Sequence, residues 1–261
     1  MELLFLGTGA ADWPDPGPRV GKGRRFCSLL LNQTLLVDCN AMTPAACDEF
    51  AVDVNRLTDI VIGHPHSDHY SPDGLMAVAK RRLPSLPALA LHLNAPTAAE
   101  LLDQRPEFAS TFSLTPYFPG DCFSCSGFQI TSFLANHLDG VKAAQLFIES
   151  ESHETLFYGP DGAWLLRQTF EFLRTRALDG IVWDLTSGDN DDWRLFEHNN
   201  LDMIRLMSRT LRLVGTLKPT TRQFCTHLAR TLCPPHDEFA PKLAVEGYEL
   251  AYDGLRTRIS S

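Results

Sequence analysis

The stretch Ile62-Gly63-His64-Pro65-His66-Ser67-Asp68-His69 sets four potential metal ligands within six residues at the end of an apolar run. Such crowding has few explanations other than a metal, and it demands a fold in which other strand ends converge on the same point. His64 and His66 are two residues apart and face the same side of an extended chain. Asp68 and His69 fall on the turn that follows, so one ion could take the first pair and a second ion the other. Further ligands must come from a distance. His137, Asp161 and His227 each come right after an apolar run and are the candidates.

The rest of the chain supplies such runs. Segments rich in Val, Ile, Leu and Phe read as strands over Glu2–Leu6, Ser28–Leu31, Leu35–Asp38, Asp59–Gly63, Leu89–Leu93 and Phe128–Ala135. The pattern continues at Ala144–Glu149, Thr155–Tyr158, Gly180–Asp184, Gln223–Thr226 and Tyr248–Tyr252. Helical spacing of Leu166, Phe170, Leu173 and Ala177, and of Leu201, Ile204, Met207 and Leu211, predicts two core-facing helices. A third starts at Ser71-Pro72-Asp73, where serine can cap, proline suits the first position and aspartate favours the positive dipole end, and it runs to about Leu83. Strands alternating with helices specify α/β layers. No Gly/Ser/Pro linker, low-complexity tract or composition shift divides residues 1–261, so a single domain is expected.

With 261 residues, 44% hydrophobic and 21% charged, the chain has an ordinary globular composition. Its formal charge of −9 is the wrong sign for gripping nucleic acid over the general surface. An anionic substrate would have to meet a local basic patch; Arg19/Lys22/Arg24/Arg25 and Lys80/Arg81/Arg82 are two such clusters, although runs like these are mostly solvated surface. The opening Met1–Gly7 lacks the cationic start and long apolar core of a signal peptide, and no apolar stretch is long enough for a membrane span. Seven cysteines without a framework suggest reduced thiols, so a cytoplasmic location is expected.

The order His-x-His-x-Asp-His, then a His, an Asp and a His at later strand ends, resembles the metallo-β-lactamase-fold hydrolases over almost the whole chain. Phe5-Leu6-Gly7-Thr8-Gly9 and Leu36-Val37-Asp38 look like that family's first strand-turn and its acidic second strand end. Glu197-His198-Asn199-Asn200-Leu201-Asp202 and Ala251-Tyr252-Asp253-Gly254-Leu255 are similar to one branch, the cyclic phosphodiesterases that accompany carbon–phosphorus lyase. The ribonuclease Z branch is the neighbouring resemblance. It implies an αββα four-layer sandwich with the site at one edge of the two sheets. It also implies His64, His66 and His137 on one metal, Asp68, His69 and His227 on a second, and Asp161 bridging. The chain departs from many relatives at Gly162, where they carry a hydroxyl residue.

Two divalent ions about 3.5–4 Å apart can hold a hydroxide at neutral pH and stabilise charge building on phosphorus. Five histidines and two carboxylates without a thiolate suit Zn²⁺, Mn²⁺ or Fe²⁺ alike. The candidate catalytic residues are Asp68 and His198, the latter as general acid or phosphoryl hydrogen-bond donor; His198 also reads as a polar residue opening the Asn200–Leu213 helix. Asp38 is the candidate partner of a metal-bound histidine, or a turn cap. Cys122-x-x-Cys125 reads as a turn rather than a metal site, and His236 as a surface-loop residue. His92 and His153 show no partner pattern. Trp13, Trp183 and Trp193 would line the pocket or pack in the core.

The expected function is two-metal hydrolysis of a small phosphodiester, cyclic esters included. The expected partner is a small phosphorylated substrate, with a homodimer allowed and nucleic acid and membrane disfavoured. Ribonuclease Z-like cleavage, thioester hydrolysis and a non-catalytic metal-binding module are the alternatives.

Overall fold

The computed structural model describes residues 1–14, 23–138, 140 and 142–260. Arg19 and Lys22 lie outside this range, as does the side chain of Trp193. The first half of the chain forms β1 (Glu2–Gly7), β2 (Ser28–Leu31), β3 (Leu35–Val37), α1 (Thr43–Glu49), β4 (Asp59–Val61), α2 (Pro72–Lys80), β5 (Leu89–Asn94), α3 (Ala95–Gln104), α4 (Phe108–Thr111) and β6 (Phe112–Tyr117). The second half forms β7 (Cys122–Cys125), β8 (Phe128–Leu134), β9 (Ala144–Ser150), β10 (Thr155–Gly159), α5 (Arg167–Leu173), β11 (Leu178–Asp184), α6 (Leu201–Leu213), β12 (Leu217–Thr226), α7 (His236–Val245), β13 (Glu249–Leu250) and β14 (Arg256–Arg258).

Side-chain alternation explains the layering. Along β1, Leu3 and Phe5 enter one apolar cluster while Leu4 and Leu6 enter another, because successive residues of a strand point to opposite faces. Along β10, Leu156 and Tyr158 join the cluster of Leu3 and Phe5, whereas Phe157 joins a third with α5, α6 and α7. The shared cluster is therefore the space between two sheets, and the other two are the interfaces of each sheet with its outer helices. Four layers result, αββα, as the resemblance implies.

The sheets run β14-β1-β2-β3-β4-β5-β6 and β13-β12-β11-β10-β9-β8-β7. Each is antiparallel in one half and parallel in the other: β3 through β6 pair in parallel, as do β10 through β13. Ligands to α/β proteins gather beyond the C-terminal ends of parallel strands. Asp38 follows β3, the His64–His69 stretch follows β4, Asp161 follows β10 and His227 follows β12. At that end the two halves are joined by a bridge from Gly9 to Leu228, and by Ala144 N–H donating to the Gly63 carbonyl (3.1 Å).

Several elements depart from the sequence expectation. The helix expected through Ala177 is only Arg167–Leu173, with Leu166 as its N-cap and Ala177 exposed, because the chain must enter β11 at Leu178. The Ser71 helix stops at Lys80 rather than Leu83; Pro84 disfavours helical geometry in the residue before it. Cys122–Cys125 is a strand rather than a turn, and the Tyr248–Tyr252 strand shrinks to Glu249–Leu250. Arg24 and Arg25 are buried rather than solvated: Arg24 donates to Thr8 Oγ1 (2.5 Å) and the Ala251 carbonyl (2.7 Å), and Arg25 pairs with Glu49. Among the described residues no helix is long and apolar enough to cross a membrane.

Candidate metal centre

All seven expected ligands converge. His64, His66, His137 and Asp161 offer donor atoms within 4.8 Å of one another, and so do Asp68, His69 and His227. In the first group His64 Nε2 lies 3.0 Å from Asp161 Oδ2, and His137 Nε2 lies 3.2 Å from His66 Nδ1. In the second, His227 Nε2 is 3.1 Å from both His69 Nε2 and Asp68 Oδ2. Asp161 sits between the groups, its Oδ2 also 3.4 Å from His69 Nε2 and 4.0 Å from His227 Nε2.

Hydrogen bonds behind the rings leave their lone pairs facing inward. Asp38 follows β3 with φ +62°, a left-handed turn that aspartate tolerates better than most residues. Its Oδ1 accepts from Gly63 N–H (2.8 Å) and its Oδ2 accepts from His69 Nδ1 (2.7 Å), so it is a ring-orienting partner as well as a turn residue. Thr186 Oγ1 donates to Asp184 Oδ1 (2.7 Å) and accepts from His227 Nδ1 (2.7 Å). His69 and His227 both therefore turn Nε2 to the cluster. Gly162, where a hydroxyl residue was the family expectation, has φ +139° and gives its N–H to Asp184 Oδ2 (3.0 Å); a side chain there would be strained.

The electrostatics ask for a cation. Burial, with His69 beside it, pushes the His64 imidazole down to about 4, leaving a neutral ligand at neutral pH. Burial and the neighbouring His137 lower His66 as well. Burial opposes charge on His69 too, yet Asp38 and Asp68 outweigh it and hold this ring well above the usual histidine range. Asp161 is buried, but His227 and His198 keep its carboxylate well below the usual range. His64 Nε2 and Asp161 Oδ1 are buried with only other atoms of the cluster beside them, Asp161 Oδ2 and His198 Nδ1, each at 3.0 Å, a setting that a divalent ion would satisfy. Tetrahedral ligands at about 2.0–2.1 Å from zinc stand roughly 3.3 Å apart, close to the nitrogen and oxygen spacings here. The residues fit a metal.

His198 reaches the same place from the segment before α6. The helix itself starts at Leu201, capped by Asn200, so His198 is not its first residue. His198 Nδ1 lies 2.8 Å from Asp184 Oδ2 and 3.0 Å from Asp161 Oδ1. Burial disfavours its charge, but Asp184 and Asp161 raise it well above the usual histidine range. A cavity of ≈180 Å³ opens over the cluster, lined by His66, Asp68, His137, Asp161, His198 and His227 together with Thr186, Arg194 and Glu197.

The sequence reading missed Asp184, Thr186, Arg194 and Glu197 as site residues. Asp184 carried a signal, since it ends an apolar strand just as Asp161 follows one; Thr186 sits in a turn, and Arg194 and Glu197 in and just after the 3-10 turn Trp193–Phe196, where no periodicity marks them. His236 begins α7 rather than a loop and faces Arg24 (3.2 Å) and Tyr252. With Trp13 it lines a larger neighbouring cavity of ≈570 Å³ that contains none of the cluster's ligands. Trp183 is core.

Residues 1–193 match a protein family described as anti-Pycsar protein Apyc1. No curated protein sequence matches. Among solved structures, a diphosphatase of the PhnP family superposes with TM-score 0.76 at 18% identity, covering 99% of this chain and 98% of that one. The metallo-β-lactamase fold protein YhfI from Bacillus subtilis gives 0.75 at 17% identity, covering 98% and 99%. The short form of human tRNase Z gives 0.69 at 17% identity, covering 100% of both chains. The chain has the metallo-β-lactamase fold and belongs to the family of the anti-Pycsar protein Apyc1.

Proposed function

We propose that this protein is a metal-dependent phosphodiesterase that opens a small cyclic phosphodiester, a cyclic nucleotide first of all. The observation that carries the reading is the clustering of seven candidate ligand residues, five of which line one cavity together with His198, itself paired with Asp184. The family name points the same way, to proteins that degrade a cyclic nucleotide.

His64, His66 and His137 would hold one divalent ion, Asp68, His69 and His227 a second, and Asp161 both; zinc, manganese and iron all suit this donor set. Such ions supply a strong nucleophile at neutral pH and neutralise charge on the phosphoryl oxygens. The chain's own residues do the rest. Asp184 engages Nδ1 of His198, leaving Nε2 as the nitrogen that delivers a proton to the departing alkoxide. Thr186 fixes the His227 ring, and Arg194 gives the cavity a guanidinium for a non-bridging phosphate oxygen. The cavity's small volume favours a small ester. All seven cysteines are free thiols, which supports a reducing, cytoplasmic setting.

The test is hydrolysis of bis(p-nitrophenyl) phosphate by protein loaded with Mn²⁺ or Zn²⁺, with His66→Ala purified alongside. Metal-dependent turnover in the parent and its loss, with metal, in the variant are expected. Equal turnover in the two proteins would overturn the assignment.

A further inference from the structure

A second group of metal-binding side chains lies at the other end of β4. Asp59, the first residue of that strand, His92 on β5 and Cys125 at the end of β7 are all buried, and one donor atom from each lies within 4.8 Å of the other two. The strand register shows why this is unexpected. Leu35 pairs with Asp59, and Val37 with Val61 and then His92; Leu35, Val37 and Val61 belong to the apolar cluster between the sheets. Asp59 and His92 therefore occupy inward positions where the alternation calls for apolar side chains. Cys125 belongs to that same cluster but comes from the opposite sheet.

The hydrogen bonds account for only part of this polarity. Asp59 Oδ1 lies 2.8 Å from His92 Nε2, while Oδ2 accepts from Thr58 Oγ1 (2.8 Å) and Ser126 Oγ (2.7 Å). His92 Nδ1 is buried with no partner, on a residue only 3% exposed, in a ring stacked on Phe123. The main cluster likewise places a buried carboxylate beside a buried imidazole, Asp161 Oδ2 and His64 Nε2 at 3.0 Å. The Cys122-x-x-Cys125 pair is not itself the site, since Cys122 is exposed and Cys125 buried, as residues three apart on a strand must be.

We propose that Asp59, His92 and Cys125 bind one thiophilic divalent cation, zinc being the type, which ties β4 and β5 of one sheet to β7 of the other. Mixed sulfur, nitrogen and oxygen donors suit zinc. Cys125 binds as thiolate and its proton passes to solvent; burial and the nearby Asp59 charge otherwise keep the thiol protonated, so binding strengthens as pH rises.

The test uses full-length protein stripped by a chelator, kept reduced with a phosphine and titrated with Co²⁺. The main cluster holds no sulfur, so a near-ultraviolet thiolate-to-cobalt charge-transfer band reports this second site alone. One band-forming equivalent per chain is expected, abolished in Cys125→Ser and kept in Cys122→Ser and in Cys27→Ser, whose thiol lies within the electrostatic reach of His69. Asp59→Asn should weaken the band-forming affinity at least tenfold, and it carries the test if Cys125→Ser does not fold. Absence of the band at saturating cobalt, its survival in Cys125→Ser, or unchanged affinity in Asp59→Asn would each overturn the proposal.

Discussion

In the proposed reaction, Asp184 governs which nitrogen of His198 meets the substrate. Its Oδ2 takes Nδ1 at 2.8 Å while its Oδ1 takes the Thr186 backbone N–H (2.8 Å) and hydroxyl, so one buried carboxylate orients His198 directly and His227 through Thr186. Asp184→Asn keeps the shape and removes the charge. It is expected to lower kcat at saturating metal by about a hundredfold, within the range for positioned general acids. The loss should be large for alkoxide leaving groups and small for p-nitrophenolate, which departs without a proton; equal losses for both would remove His198 from the acid role. At this scale the candidate ligands were legible because histidines at strand ends have no use in an apolar run, and the structure brings them together. Asp184 was less so, since one aspartate closing a strand reads equally well as a turn residue, and only the folded chain shows it beside His198.

Helix α2 follows directly on the turn that carries Asp68 and His69, and its seating depends on Gly74. A Cβ at that position would stand 2.4 Å from the Asn40 carbonyl oxygen, and Asn40 itself gives Nδ2 to the Asp68 carbonyl (3.0 Å). Gly74→Ala must push the helix off the Asp38–Asn40 turn. A destabilisation of about 1–3 kcal/mol is expected, typical of overpacking, together with weaker metal binding, measured by denaturant midpoint and metal titration. Ser71→Ala, which removes only the side-chain cap on Gly74 N–H, should cost about 1 kcal/mol and leave metal affinity alone; equal metal effects would contradict this account of the helix.

Strands were legible where both faces are buried and obscure at the sheet margins. The unread strands β6, β7 and β14, and the overlong β13, are the four edge strands of the two sheets. Edges carry proline, as at Pro116, or charge, as at Arg256 and Arg258, which is how proteins keep them from pairing further. Those residues erase the apolar pattern by which inner strands are recognised.

At the scale of the molecule, the terminal ammonium of Met1, which starts the first sheet, donates to Glu154 Oε1 (2.7 Å) beside β10 of the second. That bond and Ser150 hold the Glu154 carboxyl down to about 2 from an ordinary 4.5. A depressed carboxyl stabilises the fold above its unfolded value, and the contribution fades as pH falls from about 4.5 through about 2. Glu154→Gln should therefore be less stable than the parent at pH 7, the gap closing across that window in acid titrations followed by circular dichroism. A gap independent of pH would refute the ion pair. We propose that residues 1–261 form a single domain, because the core between the sheets draws on both halves of the chain; the acid transition should then be one cooperative step.

The order of layers was legible in the alternation of strands and helices, and the convergence of the ligands in the recurrence of His and Asp at strand ends. The substrate was not, because the loops that wall the cavity follow no periodicity.

The most direct test of the central claim is to incubate the metal-loaded protein and His66→Ala with a panel of 3′,5′-cyclic mononucleotides, a precursor tRNA and an acyl thioester, and to identify products by chromatography. Metal-dependent opening of a cyclic mononucleotide to a nucleoside monophosphate is expected, absent in His66→Ala. Intact cyclic nucleotides in the presence of fully loaded protein, with cleavage of the tRNA or the thioester instead, would contradict it.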